Sequence, residues 1–200
     1  RGRARLGLSA GIFGNGCALT AETLRAVPYE ARSVVEDLEY HLDLVRSGRA
    51  VAFADDTEVR GAMPSGGRGA ATQRARWEGG RLRMLQDAAP GLVREVLGGR
   101  LALTEPLLEL VLLPLSWHVL LLGVAACLPF APGQWIAATG LAVLVLHVLG
   151  AVVVGRAGLA GLTALASVPF YVGWKVAMAP AIARASRKHT RWVRTERGDP

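Results

Sequence analysis

Hydrophobic residues are distributed unevenly along this chain, and the longest apolar runs lie in its second half. Three nearly uncharged stretches follow Glu109, at residues 110–130, 135–154 and 159–183. A helix of about 20 apolar residues crosses the hydrocarbon core of a bilayer. Helix is the expected form because lipid leaves unpaired backbone groups unsatisfied. The pattern therefore predicts membrane helices at about residues 107–130 and 135–154.

The third stretch, residues 159–183, is less suited to crossing because Pro169, Lys175 and Pro180 interrupt it. A charged side chain near the bilayer centre is costly. The positive-inside rule places both the basic first half and the basic tail at residues 184–200 in the cytoplasm, which requires an even number of crossings. We therefore expect two crossings and a third segment that is re-entrant or interfacial. The alternative is a third crossing in which Lys175 snorkels.

The polar first half carries two helical patterns. Residues 21–27 predict a short helix that ends before Pro28. Further along, Ser33 and Glu36 have the spacing of a capping box at a helix start. Apolar residues then recur at helical intervals, namely Val34, Leu38, Leu42 and Val45. This recurrence predicts a second helix over residues 33–47.

Two further segments of the polar half predict different structures. Residues 50–61 predict two short strands on either side of an Asp55-Asp56 turn, since aspartate is a common turn residue. Residues 81–100 contain an amphipathic helical pattern with a kink or break at Pro90. Such a helix either lies on the membrane headgroups or packs against the soluble domain, and the pattern leaves both open.

Composition narrows the class of protein. The chain has 200 residues, 52% of them hydrophobic, and a formal net charge of +7. These values exclude a disordered chain, and the uneven charge excludes a single soluble core. Cys17 and Cys127 suit neither a metal site nor a set of disulfide bridges. The arginines are not interleaved with aromatic residues on one face, so we expect no nucleic-acid partner.

The strongest chemical signal is a Gln-x-x-Arg-Trp pattern. Gln73, Arg76 and Trp77 share one face if the segment is helical, because positions three and four residues apart are neighbours. A guanidinium gives forked hydrogen bonds to a diphosphate, an amide can bind hydroxyl groups, and an indole plane can pack on a sugar ring. The alternative is a structural helix with a buried tryptophan and a solvated arginine.

Three motifs precede the apolar stretches in a fixed order, namely Gly14-Asn15-Gly16, Val35-Glu36-Asp37, and Gln73 with Arg76 and Trp77. With these motifs the chain resembles the C-terminal part of family 2 glycosyltransferases, the class of the cellulose, chitin and hyaluronan synthases. In that family the middle motif is usually Thr/Ser-Glu-Asp, so Val35 departs from it.

The resemblance implies an α/β fold plus membrane helices, as the C-terminal part of a GT-A-type domain followed by a helical membrane region. Residues 1–80 would form the acceptor side of the cytoplasmic catalytic domain. Residues 81–100 would form an interfacial helix, residues 101–183 the membrane region, and residues 184–200 a basic cytoplasmic tail.

Roles follow from the resemblance residue by residue. Asp37 would be the catalytic base that deprotonates the acceptor hydroxyl. Gln73 and Arg76 would face the diphosphate of the donor, and Trp77 would stack on the acceptor sugar. The remaining motif residues would contribute to substrate binding, namely Gly14, Asn15, Gly16 and Glu36.

The resemblance also implies partners that these residues do not supply. A divalent metal, Mg²⁺ or Mn²⁺, is expected in the intact enzyme with its ligands upstream of this chain. The piece by itself is therefore expected to be inactive. The expected partners are a nucleotide-diphosphate sugar, a glycan or lipid-linked acceptor, and membrane lipid.

The function implied is inverting transfer of a hexosyl group to a growing polysaccharide by a multi-pass protein of the cell's inner membrane, with its catalytic part in the cytoplasm. One alternative is transfer to a polyprenyl or other lipid-linked acceptor. An alternative of another class is a non-catalytic membrane protein with a basic cytoplasmic domain, which the charge asymmetry supports.

Overall fold

The structure is a computed structural model that describes residues 2–14, 16–59, 61, 67–155 and 157–187. The chain divides into two compact units, one formed by Arg1–Leu112 with Pro180–Pro200 and the other by Leu113–Ala179. The first unit contains five described helices before its junction with the second, namely α1 (Gly2–Arg5), α2 (Ala21–Ala26), α3 (Glu36–Arg46), α4 (Gly67–Leu97) and α5 (Thr104–Val111).

Helix α2 confirms the prediction for residues 21–27. The side chain of Thr20 caps its start, accepting a hydrogen bond from the Thr23 N–H at 3.1 Å. A threonine at this position satisfies one of the N–H groups that the first helical turn leaves unpaired.

Helix α3 begins three residues later than predicted, at Glu36, and Val35 is its N-cap without a side-chain cap. The capping box starting at Ser33 is therefore wrong. The Glu39 carboxylate instead accepts the N–H groups of Arg32 and Ser33 at 3.1 and 2.8 Å. Those bonds turn the chain ahead of the helix, so Ser33 lies outside it.

The core of the first unit joins α3 and α4 to α5 and to the 3-10 turn Leu101–Leu103. Its main cluster consists of buried apolar side chains from all four elements, namely Val35, Leu42, Val45, Met84, Leu92, Leu103 and Leu110. A second cluster holds the N-terminal segment on α3 through Val27, Tyr40 and Leu44. Burying these side chains removes apolar surface from water, which is the main favourable term in folding.

Helix α4 is longer than the sequence pattern predicted. It runs unbroken through Pro90, and the predicted domain boundary at residue 80 falls inside it. The kink or break expected at Pro90 does not end the helix, although a proline inside a helix removes one backbone hydrogen bond.

The strand prediction for residues 50–61 is wrong in the part of this segment that the structure describes, residues 50–59 and 61. Val51 makes two hydrogen bonds, accepting the Ala10 N–H and donating to Ser9 Oγ, both at 2.9 Å. A strand requires a repeated ladder of such bonds with a neighbour, and one exchange does not make a ladder. The regular structure of the described residues is helical and includes no strand, so the α/β character is not shown.

The second unit is formed by apolar helices. They are α6 (Leu115–Cys127), α7 (Ala131–Val154), α8 (Gly158–Leu165) and most of α9 (Val168–Ala185). The single helix predicted at residues 107–130 is wrong, because the helical segments stop at Val111 and resume at Leu115. Pro114 is the N-cap of α6 and has a non-helical backbone conformation there, and a proline has no N–H to donate to the preceding turn.

Helix α7 confirms the helix predicted at residues 135–154 and begins four residues earlier, with Pro132 in its first turn. It packs closely on α6, since a Cβ added at Gly140 would lie 2.9 Å from the Leu122 Cδ2. The third apolar stretch is two helices, α8 and α9, rather than one.

By length and composition, α7 is the one described helix that could cross a membrane by itself. The interrupted pair Leu101–Val111 and Leu115–Cys127 would give a second span if the two helices form one crossing.

Candidate active site

Asp37 lies in the first turn of α3, and backbone N–H groups hold both of its oxygens. The Gly14 N–H donates to Oδ2 at 3.0 Å, and the Leu38 N–H donates to Oδ1 at 2.8 Å. Each oxygen receives one hydrogen bond from the described residues, and an ionised carboxylate offers about four acceptor positions. The two bonds fix the direction of the carboxylate.

The Gly14-Asn15-Gly16 motif reaches this carboxylate through its first residue. Asn15 lies outside the described residues. A Cβ added at Gly16 would lie 2.7 Å from the Val59 Cγ2, so that position accepts no side chain without movement of its neighbour. At Gly14 an added Cβ would lie 3.5 Å from the Asp37 Oδ2, an ordinary contact. The motif therefore approaches α3 closely at one end and the loop around Val59 at the other.

Gln73, Arg76 and Trp77 all lie within α4, so the helix expected for this motif is present. Gln73 and Arg76 are half-buried, whereas Trp77 keeps 37% of its surface exposed. The structural alternative of a buried tryptophan does not hold. An exposed indole is available to pack on a ligand ring.

The segment before Asp37 packs on α4 one turn after Trp77. A Cβ added at Gly80 would lie 3.0 Å from the Val35 Cγ1 and 3.5 Å from the Val34 Cβ. Val35 precedes Asp37 by two residues, and Trp77 precedes Gly80 by three. The structure thus brings Gly14 directly to Asp37, and it brings the Gln-x-x-Arg-Trp helix to the same end of α3. Glu36 is exposed in that first turn.

Tyr29 is a neighbour of this region that the sequence analysis did not single out. Its ring packs on the Tyr40 ring with centroids 4.7 Å apart. Burial raises the pKa of Tyr29, and the charges of Glu36 and Asp37 raise it further. The phenol therefore stays protonated near the two carboxylates. No local sequence signal marks it, because it follows Pro28 in an irregular segment.

A buried histidine lies one turn along α3 from Asp37. His41 is 1% exposed, and its Nε2 lies 2.7 Å from Ser9 Oγ, which also accepts the Val51 N–H. Burial lowers the pKa of His41, and the nearby charge of Glu109 opposes that shift. The imidazole is therefore neutral near pH 7 and ties the N-terminal segment to α3.

Ion pairs extend this buried region to α5. Arg3 Nη2 lies 2.6 Å from both Glu105 Oε1 and Glu109 Oε2. Arg81, four residues after Trp77, donates to the backbone carbonyls of Glu109 and Leu112 at the end of α5. Burial lowers the pKa of the Arg81 guanidinium, and Glu109 acts in the opposite direction. An arginine at this position satisfies carbonyl groups that a helix end leaves unpaired.

A groove of about 760 Å³ lies beside α3 and α4 in the first unit. It shares Val34 and Gly80 with the contact described above, but none of the predicted site residues lines it. Within the described ranges, no group of three or more His, Cys, Asp or Glu side chains could hold a metal ion. The residues described here therefore do not form a metal centre.

Comparison with known proteins places the chain in one family. A sequence-family model described as "Glycosyl transferase family group 2" matches residues 2–178. No curated protein and no solved structure gives a significant match.

Proposed function

Because the chain belongs to glycosyl transferase family group 2, we propose that it forms the acceptor-side and membrane part of an inverting enzyme that extends a polysaccharide. Membership means a GT-A-type glycosyltransferase that uses a nucleotide sugar as donor. The observation that supports the finer proposal is the Asp37 carboxylate. Two N–H groups orient it at the end of α3 that packs on the Gln-x-x-Arg-Trp helix.

In the proposed reaction Asp37 accepts the proton of the acceptor hydroxyl while that oxygen attacks the anomeric carbon of the donor sugar. The bond from the anomeric carbon to the diphosphate breaks in the same step, and the nucleoside diphosphate leaves with the electron pair. A single displacement from the opposite side inverts the configuration. A positioned general base contributes about 10²–10⁴-fold to such a rate.

Arg76 and Gln73 are proposed to face the leaving diphosphate. Negative charge grows on that group in the transition state, and a guanidinium gives it charge-assisted, forked hydrogen bonds. Trp77 follows Arg76 directly, and its exposed indole is proposed to support the acceptor sugar beside the base. Gly14, which donates to Asp37, and Gly16, which packs on Val59, are proposed to line the acceptor pocket, and Glu36 is proposed to complete the substrate-binding set.

The divalent metal that this class of enzyme uses does not fit the residues described here, since no suitable ligand cluster is found among them. No step above depends on such an ion. The roles proposed for this chain are orientation of the acceptor, removal of its proton and charge stabilisation by Arg76.

Membrane attachment is proposed from the apolar helices. Helix α7, and the pair formed by Leu101–Val111 and Leu115–Cys127 as a second crossing, would supply the two spans. Two crossings would leave the basic segments on the same face of the membrane, and the positive-inside rule makes that face cytoplasmic. The enzyme would then sit in the inner membrane with its catalytic part facing its nucleotide-sugar supply.

Replacement of Asp37 by asparagine tests the proposed base. In membrane vesicles that contain the natural full-length enzyme, Asp37→Asn should lower transfer of labelled sugar by about 10²–10⁴-fold while donor binding is retained, because an amide cannot accept the proton. Asp43→Asn is the matched control on the same helix, since Asp43 pairs with Arg46 away from the site. Turnover of Asp37→Asn within a few-fold of the parent would exclude the base role.

The chemical form of the product distinguishes the acceptors. With a panel of nucleotide-diphosphate sugars, label in a water-soluble polymer supports polysaccharide extension. Label extracted into organic solvent supports a lipid-linked acceptor instead.

A further inference from the structure

Three consecutive residues that follow Trp77 each contact a different element of the first unit. A Cβ added at Gly79 would lie 2.6 Å from the Ala185 Cβ at the end of α9. Gly80 meets Val35 at the start of α3, and Arg81 binds carbonyl groups at the end of α5. Successive residues of a helix point about 100° apart. The three side-chain positions therefore face three directions, and each direction is occupied by a neighbouring segment.

From this geometry we propose that Gly79, Gly80 and Arg81, here named the contact triplet, position Trp77 relative to Asp37 for sugar transfer. The inference rests on the proposed function, because it assigns the triplet no chemistry of its own. None of the three touches the reacting groups in this scheme. They act by fixing the helix that carries Trp77 against the helix that carries Asp37.

Gly80 lies at a close contact between α4 and the segment that leads into α3. An added Cβ would lie 3.0 Å from the Val35 Cγ1, which is shorter than ordinary van der Waals contact. A methyl group at this position therefore requires the Val35 side chain, or the backbone that carries it, to move by a few tenths of an ångström. Asp37 lies two residues beyond this contact, and in the proposal part of that movement reaches the base.

Arg81 fixes the position of α4 relative to α5. Its guanidinium donates to the carbonyls of Glu109, in the last turn of α5, and of Leu112, the C-cap of that helix. Both hydrogen bonds come from one guanidinium nitrogen, Nη2, which therefore lies between the two carbonyl oxygens. These bonds hold the Arg81 side chain against α5 and so constrain the helical turn that begins at Trp77.

Gly79 lies at the contact between α4 and the end of α9. An added Cβ would lie 2.8 Å from the Ala185 backbone carbon and 3.0 Å from the Ile182 carbonyl oxygen. Backbone atoms cannot rotate away as a side chain can. A substitution at Gly79 would thus separate whole segments, which makes Gly79 a poor choice for a clean test and Gly80 a good one.

The test compares alanine at two glycines of the same helix in the natural full-length enzyme. Gly80→Ala should lower kcat about 10-fold with little change in the KM for the donor, because misplacement by 1 Å can cost about 10²-fold in rate. Gly91→Ala is the matched control, since no atom lies within 4 Å of its added Cβ. Alanine favours helix at both positions, so a merely structural role predicts no loss in either variant.

A second variant tests the mechanism of the loss. Val35→Ala removes the Cγ1 that the new methyl group would meet, so Gly80→Ala with Val35→Ala should recover most of the lost kcat. Unchanged kcat in Gly80→Ala, or equal losses in Gly80→Ala and Gly91→Ala, would overturn the positioning role. A double variant no better than Gly80→Ala would overturn it too.

These outcomes are distinguishable from failure of the proposed function. If Asp37→Asn turns over normally, the base assignment fails whatever the glycine variants do. If Asp37→Asn is inactive and Gly80→Ala is fully active, the base assignment stands and the contact triplet has no positioning role.

Discussion

Removal of one buried hydroxyl should destabilise the helix that carries Asp37 without changing its shape. Tyr40 is fully buried, and its hydroxyl donates to the Val27 carbonyl oxygen at 2.8 Å. Tyr40→Phe keeps the ring and its packing on Tyr29 but leaves that carbonyl without this partner. Leaving a buried acceptor unsatisfied costs about 1–3 kcal/mol. For a protein of this size the loss corresponds to a fall of roughly 2–12 °C in the unfolding midpoint.

The assay is thermal unfolding of the detergent-solubilised protein, followed by tryptophan fluorescence. Tyr29→Phe is the matched control, because Tyr29 belongs to the same tilted ring pair but is 49% exposed. Below the transition, Tyr40→Phe should keep its kcat, since the hydroxyl contacts Val27 rather than the site. A midpoint equal to that of the parent, or an equal fall in Tyr29→Phe, would refute the reasoning.

Two further predictions concern pH and topology. Burial lowers the pKa of His41 below its usual 6.5. The unfolded chain therefore binds the proton more readily, and the free energy of unfolding falls as pH drops below about 6.5. Urea unfolding at pH 7.5 and 5.5 should show this loss of stability, and His41→Gln should reduce it. For topology, a cysteine introduced at Thr195 in a variant lacking Cys17 and Cys127 should resist a membrane-impermeant thiol reagent added to intact cells, because the basic tail is expected in the cytoplasm. Labelling from outside would indicate a third crossing.

The elements that the sequence predicted well are those whose signals are local. Helix α2 is preceded by Thr20 and followed by Pro28, and α7 is an uninterrupted apolar run with a proline in its first turn. Capping, chain termination by proline and continuous hydrophobicity act over a few residues. A single sequence contains all the information that such elements need.

The start of α3 and the strands failed because their outcome depends on distant groups. Ser33 has the spacing of a cap, but the Glu39 carboxylate binds the backbone there instead. Residues 50–61 have a strand-like pattern, but a strand also needs a partner segment, and in the described part of it Val51 alone exchanges hydrogen bonds with residues 9 and 10. Periodicity cannot identify which groups meet across such separations.

In the candidate site, too, some residues are marked by the sequence, whereas others are recognised only by contacts between distant parts of the chain. The motif residues Asp37, Arg76 and Trp77 could be selected from their order in the chain, and their roles stay predictions until the variants are measured. The supporting network could not be selected, because Arg3 meets Glu105 across about a hundred residues of sequence. Charges are common on this chain, and nothing in their spacing shows which of them pair.

The contacts of Arg3 and Arg81 with α5 constrain the relative positions of the helices more than they stabilise the fold. Ion pairs partly removed from water gain little net free energy, because the loss of hydration offsets their attraction. One Arg3 nitrogen can reach both Glu105 and Glu109 at 2.6 Å only while α1 keeps a single distance from α5. Arg81 imposes the same condition between α4 and α5. In the displacement proposed above, the base, the acceptor and the leaving group must be held in line. Elements that are fixed to one another at several points would hold them in that arrangement.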